Sequence, residues 1–355
     1  MSEKLGQIRI VRLAEADPSD VEIAAWHRVR IETADQAGSD APERDADATA
    51  AVLRDPRPSE PVVRWLAWDG DTAVGLAWVR LHRDEDGGQA AVGRIAVPED
   101  RYGRGAEQAL LDEVVAVAAA DGRSTLLTSA PVGSAAEEFL VGAGFEPGAD
   151  FCRLRLLVAD CDQDELRATV KAASDGYSLV RWQGVPPGDL IGPFAATREA
   201  MNDSPADEPD LGRISWDEDR VRANARSAAT RGRTLLTVAA LGLDELGAEV
   251  VAGFCEIVLE GGDSVRARQS DTVVHTEHRG RGLGLWVKAA MLEWLIGAHP
   301  EVAEVVTACL AGNVHMIAIN EQIGFLPVRD ERYYRLAFQP PQGDTAGAAR
   351  PVRLG

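Results

Sequence analysis

No apolar run in this sequence approaches the ~20 residues that span a bilayer, so no membrane-spanning helix and no membrane partner are expected. The first residues, Met1-Ser2-Glu3-Lys4-Leu5-Gly6-Gln7, lack a basic start followed by an apolar core, so no export signal is expected there. Cysteine is scarce. Cys152, Cys161, Cys255 and Cys309 stand apart without C-x-x-C spacing, which points to reduced thiols rather than a disulfide set or a metal site. Positive charge is in deficit: 37 Lys and Arg against 57 Asp and Glu give a formal charge of −20. Such a surface repels phosphate backbones, which argues against a nucleic-acid partner and leaves solubility, or attraction of a cationic small molecule, as its consequence. These absences together predict a cytoplasmic protein. What is present is 355 residues, 45% of them hydrophobic, enough for two separate cores.

Two stretches share one order of features, about 180 residues apart, and such a repeat fixes architecture more firmly than any single motif. In the first, residues 62–68, 72–81 and 90–97 read as strands, with Asp69-Gly70-Asp71 and Glu85-Asp86-Gly87-Gly88 as turns. The turn Tyr102-Gly103-Arg104-Gly105 follows. Then come a helix over 107–120, a strand over 124–129, a helix over 133–141 ending at Gly144-Phe145, and a strand over 152–158. The second stretch repeats this with strands over 234–241, 250–259 and 268–276, and a turn over 279–284. A helix over 282–298, a strand over 302–310, a helix over 313–323 ending at Gly324-Phe325 and a strand over 333–338 complete it. Helices over 21–33, 189–201 and 216–231 open the two halves. The expected fold class is therefore α/β with a mixed, mostly antiparallel sheet flanked by helices in each half. The expected divisions are 1–160, a polar linker over 161–175, a second domain over 176–339 and a disordered tail rich in Pro, Gly and Ala over 340–355.

A strand that runs into a glycine-rich turn and then a helix is a device for gripping a diphosphate. The first amides of a helix have no internal partner and sit at the positive end of its dipole. Glycines let the backbone approach phosphate without a Cβ in the way. Here the strand leads through His278 to Arg279-Gly280-Arg281-Gly282-Leu283-Gly284-Leu285, and the helix follows at once. A dinucleotide-binding oxidoreductase would place such a turn after the first strand of a βαβ unit, and here several antiparallel-looking strands precede it.

This arrangement resembles the GNAT superfamily of acyl-CoA-dependent N-acyltransferases. Arg279-Gly280-Arg281-Gly282-Leu283-Gly284 matches its Q/R-x-x-G-x-G/A pattern, and Asn313, opening a helix that ends in Gly324-Phe325, matches a second family feature. The resemblance is strong over 176–339 and weak over 8–158, as in tandem members of the superfamily. It implies acetyl-CoA as co-substrate, with Thr272, Val273 and Val274 splaying from the next strand to meet the pantetheine arm. It further implies that the amides from Gly280 to Leu285, flanked by Arg279 and Arg281, hold the pyrophosphate, and that Asn313 contacts the arm. The first copy departs from the pattern: Tyr102 replaces the Q/R, Glu107 takes the last small position, and Gly133 stands opposite Asn313. A carboxylate at 107 would face the diphosphate, so this copy is expected to be degenerate.

Direct transfer to the primary amine of a small molecule needs a base and an acid for two protons, and requires no metal. Glu256 and Asp271 are the candidate bases, subject to strand register; His275 and His278 stand nearby, with His278 read as structural, and His315 reads as a surface residue. Many family members place a Tyr seven residues after the Asn. Asn320 stands there and cannot act as an acid, leaving Tyr333 and Tyr334 as the topological substitutes, or proton uptake from solvent. The stretch 201–210, with Asp203, Asp207, Glu208 and Asp210, is either a solvated loop or a site for a cationic amine. A monomer or homodimer fits, and a non-catalytic acyl-CoA-binding regulatory protein is the alternative reading.

Overall fold

The computed structural model describes residues 8–14, 17–34, 46–54, 62–81, 90–172, 176–199, 215–230, 232–259 and 265–339. The acidic stretch 201–210 and the tail over 340–355 lie outside them. The elements in chain order are β1 (Arg9–Arg12), α1 (Asp20–Glu32), α2 (Ala46–Arg54), β2 (Val62–Asp69), β3 (Thr72–Arg80), β4 (Ala90–Ala96), α3 (Ala106–Ala120), β5 (Thr125–Pro131) and α4 (Ala135–Gly142). They continue with β6 (Glu146–Leu157), α5 (Gln163–Lys171), β7 (Ser178–Gln183), α6 (Ile191–Glu199), α7 (Glu218–Thr230), β8 (Thr234–Leu243) and β9 (Glu249–Leu259). The last are β10 (Arg266–Val274), α8 (Leu283–Ala298), β11 (Glu304–Leu310), α9 (Val314–Gln322) and β12 (Leu326–Ala337).

Local chemistry explains where the helices begin. Ser19 and Glu22 form a reciprocal capping box at α1. Ser134 and Asn313 cap α4 and α9 through their side chains. Gly105 and Gly282 cap α3 and α8 in the left-handed conformation. The helix caps align Ser134, not Gly133, with Asn313, a one-residue correction to the sequence reading.

The chain divides into two compact units, Met1–Gly148 with Arg332–Gly355, and Ala149–Glu331. This differs from the division at 160 and 176 read from the sequence. In the first unit the strand order is β1-β2-β3-β4-β5-β12, and in the second it is β6-β11-β10-β9-β8-β7. The closing strand of each unit is thus exchanged along the chain. Residues 151–157 of β6 pair antiparallel with β11, and Phe338 at the end of β12 donates its N–H to the Ser124 carbonyl in the first unit. The physical reason is apolar burial. Cys152, Leu154 and Leu156 join the core under α8, whereas Tyr334, Leu336 and Phe338 pack in the core under α3. Nor is 161–175 a linker throughout, because α5 lays Leu166 into the second core and Val170 accepts from the Trp286 indole at 2.9 Å.

Among the described residues β4 pairs parallel with β5 and β10 with β11, whereas β4 with β3 and β10 with β9 are antiparallel. Each sheet has helices on both faces. In the second unit α5, α8 and α9 cover one face, and α6 packs Phe194 and Ile191 on the other against Phe254, Val251 and Val273.

Candidate active site

The parallel pair β10–β11 holds register for Arg266 to Arg268 only, after which the strands part. A β-bulge on the other side of β10 accompanies the parting: Gln269 faces Ile257 on β9, but Thr272 already faces Cys255, so β10 carries one extra residue. Thr272, Val273 and Val274 follow the bulge on this freed edge. β4 in the first unit has no such shift where it pairs with β3. The offset between matching positions accordingly grows by one residue between Ala90/Arg266 and Gly103/Gly280.

Beyond Val274 the chain makes one 3-10 turn, Thr276–His278, and enters the glycine loop. Gly280 and Gly282 both sit at φ 76°, where a Cβ would strain the backbone. The first helical bond of α8 runs from the Trp286 N–H to the Gly282 carbonyl at 3.1 Å, so the amides of Leu283, Gly284 and Leu285 lie ahead of the ladder. A Cβ at Gly284 would meet Ile319 Cδ1 at 3.3 Å, so this glycine lets α8 close on α9. Asn313 is half-buried, and its side-chain oxygen is spent on the Met316 N–H at 3.1 Å, which leaves the amide nitrogen as its donor toward any ligand.

The first unit has the same turn, with Gly103 and Gly105 at positive φ, but fills it from within. The buried Glu107 carboxylate takes the Gly103 N–H at 2.8 Å. A phosphate oxygen ~4 Å from that carboxylate would be repelled by roughly 4 kcal/mol at an effective dielectric of ~20, about a thousandfold in affinity. The residues present therefore fit a diphosphate in the second unit and not in the first.

Strand register places Glu256 on the face of Phe254, toward α6. There Arg198, unnoticed in the sequence because it sits in a short, weakly patterned helix, gathers both candidate bases. Its Nη2 lies 2.8 Å from Glu256 Oε2 and 2.6 Å from Asp271 Oδ2. Thr237 donates to Glu256 at 3.2 Å, and Trp216 lies against the guanidinium, 4.1 Å from ring centroid to Cζ. Glu256 is 1% exposed, whereas the Asp271 side chain keeps 26% of its surface open at the bulge. Burial pushes Glu256 up to about 7; Arg198 pulls it down and the Asp271 charge adds to the rise.

On the opposite face Asn320 is fully buried, accepting from Lys288 Nζ at 2.8 Å and donating to Cys309 Sγ at 3.1 Å. Burial holds the Lys288 ammonium below its ordinary value and pushes the Cys309 thiol up. A lone Lys in the apolar run of α8 was the one sequence signal for this group. Tyr333 and Tyr334 fall in the part of β12 that belongs to the first unit. Tyr334 is buried there, donates to Glu137 Oε1, and is pushed up to about 12 by burial and that carboxylate. His278 is buried against Tyr177, and His315 is exposed, as the sequence suggested.

No family model matches the chain, and no curated protein matches it. Among solved structures, a tandem GNAT protein from the clavulanic acid biosynthesis pathway, without AcCoA, is 26% identical and superposes with a TM-score of 0.70, over 93% of this chain and 98% of that one. This chain has the tandem GNAT fold. A GCN5-related N-acetyltransferase from Sphaerobacter thermophilus, 16% identical, shares it with a TM-score of 0.65 over 93% and 96% of the two chains. Acyl transfer in general is the chemistry that the first of these neighbours, at 26% identity, supports for this fold. Among the chain's described residues, no helix is long and apolar enough to cross a membrane.

Proposed function

We propose that the chain is an acetyl-CoA-dependent N-acetyltransferase acting on the primary amine of a small molecule, in a ternary complex within the second unit. One observation carries the proposal: a bulged strand parts from its neighbour and leads into a glycine loop whose amides stand ahead of α8.

Acetyl-CoA, when bound, supplies an activated thioester. The amides from Gly280 to Leu285 hold the diphosphate, with Arg279 and Arg281 adding charge that the acidic chain otherwise lacks. The freed edge at Thr272, Val273 and Val274 offers backbone groups to the pantetheine arm, and a fixed N–H there can face an oxygen that gains negative charge. Asn313 reaches the arm through its amide nitrogen. The carboxylate pair takes the ammonium proton of the acceptor: Asp271 is the member open to the cleft and Glu256 the buried one. Both carboxylates contact the same Arg198 nitrogen. Asn320 cannot protonate the leaving thiolate, which takes its proton from solvent.

With Arg198 between the two carboxylates, the site carries little net negative charge of its own. A preference for cationic acceptors would then rest on the acidic stretch 201–210. A cytoplasmic location and a monomer or homodimer complete the reading.

Calorimetry with acetyl-CoA tests it: one molecule per chain is expected, with thiol release once a suitable amine is present. A folded Gly282→Val variant that kept its affinity for coenzyme A would overturn the assignment. Because Asn320 removes the usual proton donor, a non-catalytic acyl-CoA-binding protein is the second reading. Tight binding without thiol release across a broad set of amines would favour it.

A further inference from the structure

The turn that delivers β10 to the glycine loop holds a second constellation, which acyl transfer does not use. His275, Glu277 and His278 project one ligand atom each into a common space, all within 4.8 Å of one another. We infer that these three side chains form a binding site for a divalent transition metal of the zinc class.

Three observations support it. The His275 Nδ1 atom is buried and makes no hydrogen bond, an orphan polar atom that a metal would satisfy. His278 is buried, and its Nδ1 lies 2.8 Å from the Tyr177 hydroxyl, which fixes the ring and leaves Nε2 for an ion. Tyr177 is itself held in place: its ring fills the space over Gly242, where a Cβ would stand 2.6 Å from the ring carbon Cε1.

The ligand set selects the ion. Two imidazoles and one carboxylate suit zinc, nickel or copper, whereas magnesium and calcium demand oxygen shells. Zinc with nitrogen ligands at ~2.1 Å needs them about 3.4 Å apart, so the three ligand atoms, all within 4.8 Å of one another, draw together on binding. Three protein ligands leave a fourth position for water. Two arginines oppose a cation here. Arg279 turns its Nε onto the Val274 carbonyl at 3.2 Å, while Arg281 lies 5.9 Å from the Tyr177 ring. Their repulsion excludes hard ions, which bind through charge, more than an ion held by nitrogen donation.

The full chain, freed of any affinity tag and stripped with chelator, is titrated with Zn²⁺ in the absence of acyl substrates, so the result does not depend on enzymatic activity. One ion per chain is expected, with no Mg²⁺ binding under the same conditions. Co²⁺ should give visible d–d bands without a thiolate charge-transfer band. His275→Ala and Glu277→Gln alter side chains that are not fully buried. Each should weaken Zn²⁺ binding at least tenfold, and Tyr177→Phe, which keeps the packing, about 10- to 100-fold. His315→Ala should bind as the parent does. Parent-like affinity in His275→Ala, a thiolate band from the cysteines, or equal binding of Mg²⁺ would each overturn the inference.

Discussion

Glu256 and Asp271 share one arginine nitrogen and differ in access to solvent, and that difference sets what each variant should do. Glu256 stands raised to about 7 from an ordinary value of 4.5. Its stabilising contribution is therefore complete below the ordinary value and is lost as pH rises through about 7. The parent should lose thermal stability between about pH 5 and 7 relative to Glu256→Gln, by a few kcal/mol at most. Asp271→Asn removes a neighbouring negative charge, so the acid limb of the rate profile should move to lower pH while kcat falls. A limb that stays near 7 in both variants would assign it to another group. Lys288 has the opposite sign. Its lowered pKa makes the protein gain stability as pH rises toward 10.5, and Lys288→Met should flatten that rise. At this scale the sequence singled out both carboxylates but not Arg198, because strand alternation tells which residues share a face and not which helix residue lies over it.

At the scale of elements, the proposed site depends on one extra residue in β10. The flanking pairs, Gln269 with Ile257 and Thr272 with Cys255, straddle the bulge. Deleting Ser270 would therefore leave both pairs in place and make the strand regular, like β4. The protein should fold and lose measurable coenzyme A affinity, as followed by calorimetry. Gly282→Ala should cost about 1–2 kcal/mol in chemical denaturation from its left-handed backbone alone. The glycine loop, α8 and the cap at Asn313 were legible because each depends on residues adjacent in sequence. The bulge was not: a single inserted residue shows only when two strands are laid side by side. The short strands β1 and β7 also escaped notice, being a few residues each with mixed burial.

At the scale of the molecule, the repeat was legible and the ownership of the closing strands was not. β6 and β12 each follow the helices of one copy and satisfy the core of the other, a pairing that no local pattern encodes. A fragment covering 149–331 contains every core residue of the second unit, so it should fold and bind acetyl-CoA. A fragment covering 176–339 lacks Cys152, Leu154, Leu156 and Leu166, leaves β11 with an open edge, and should be insoluble or molten by circular dichroism. If the second fragment folded as well as the first, the exchange would have no energetic weight.

The exchanged strands also order events on the ribosome. Residues 149–331 are a continuous stretch and can finish folding as soon as they emerge. The first unit must wait for Tyr334, Leu336 and Phe338, which are translated after the whole of 149–331. The half of the protein that is made first is thus completed second, and until then its open β5 edge is the part most in need of a chaperone.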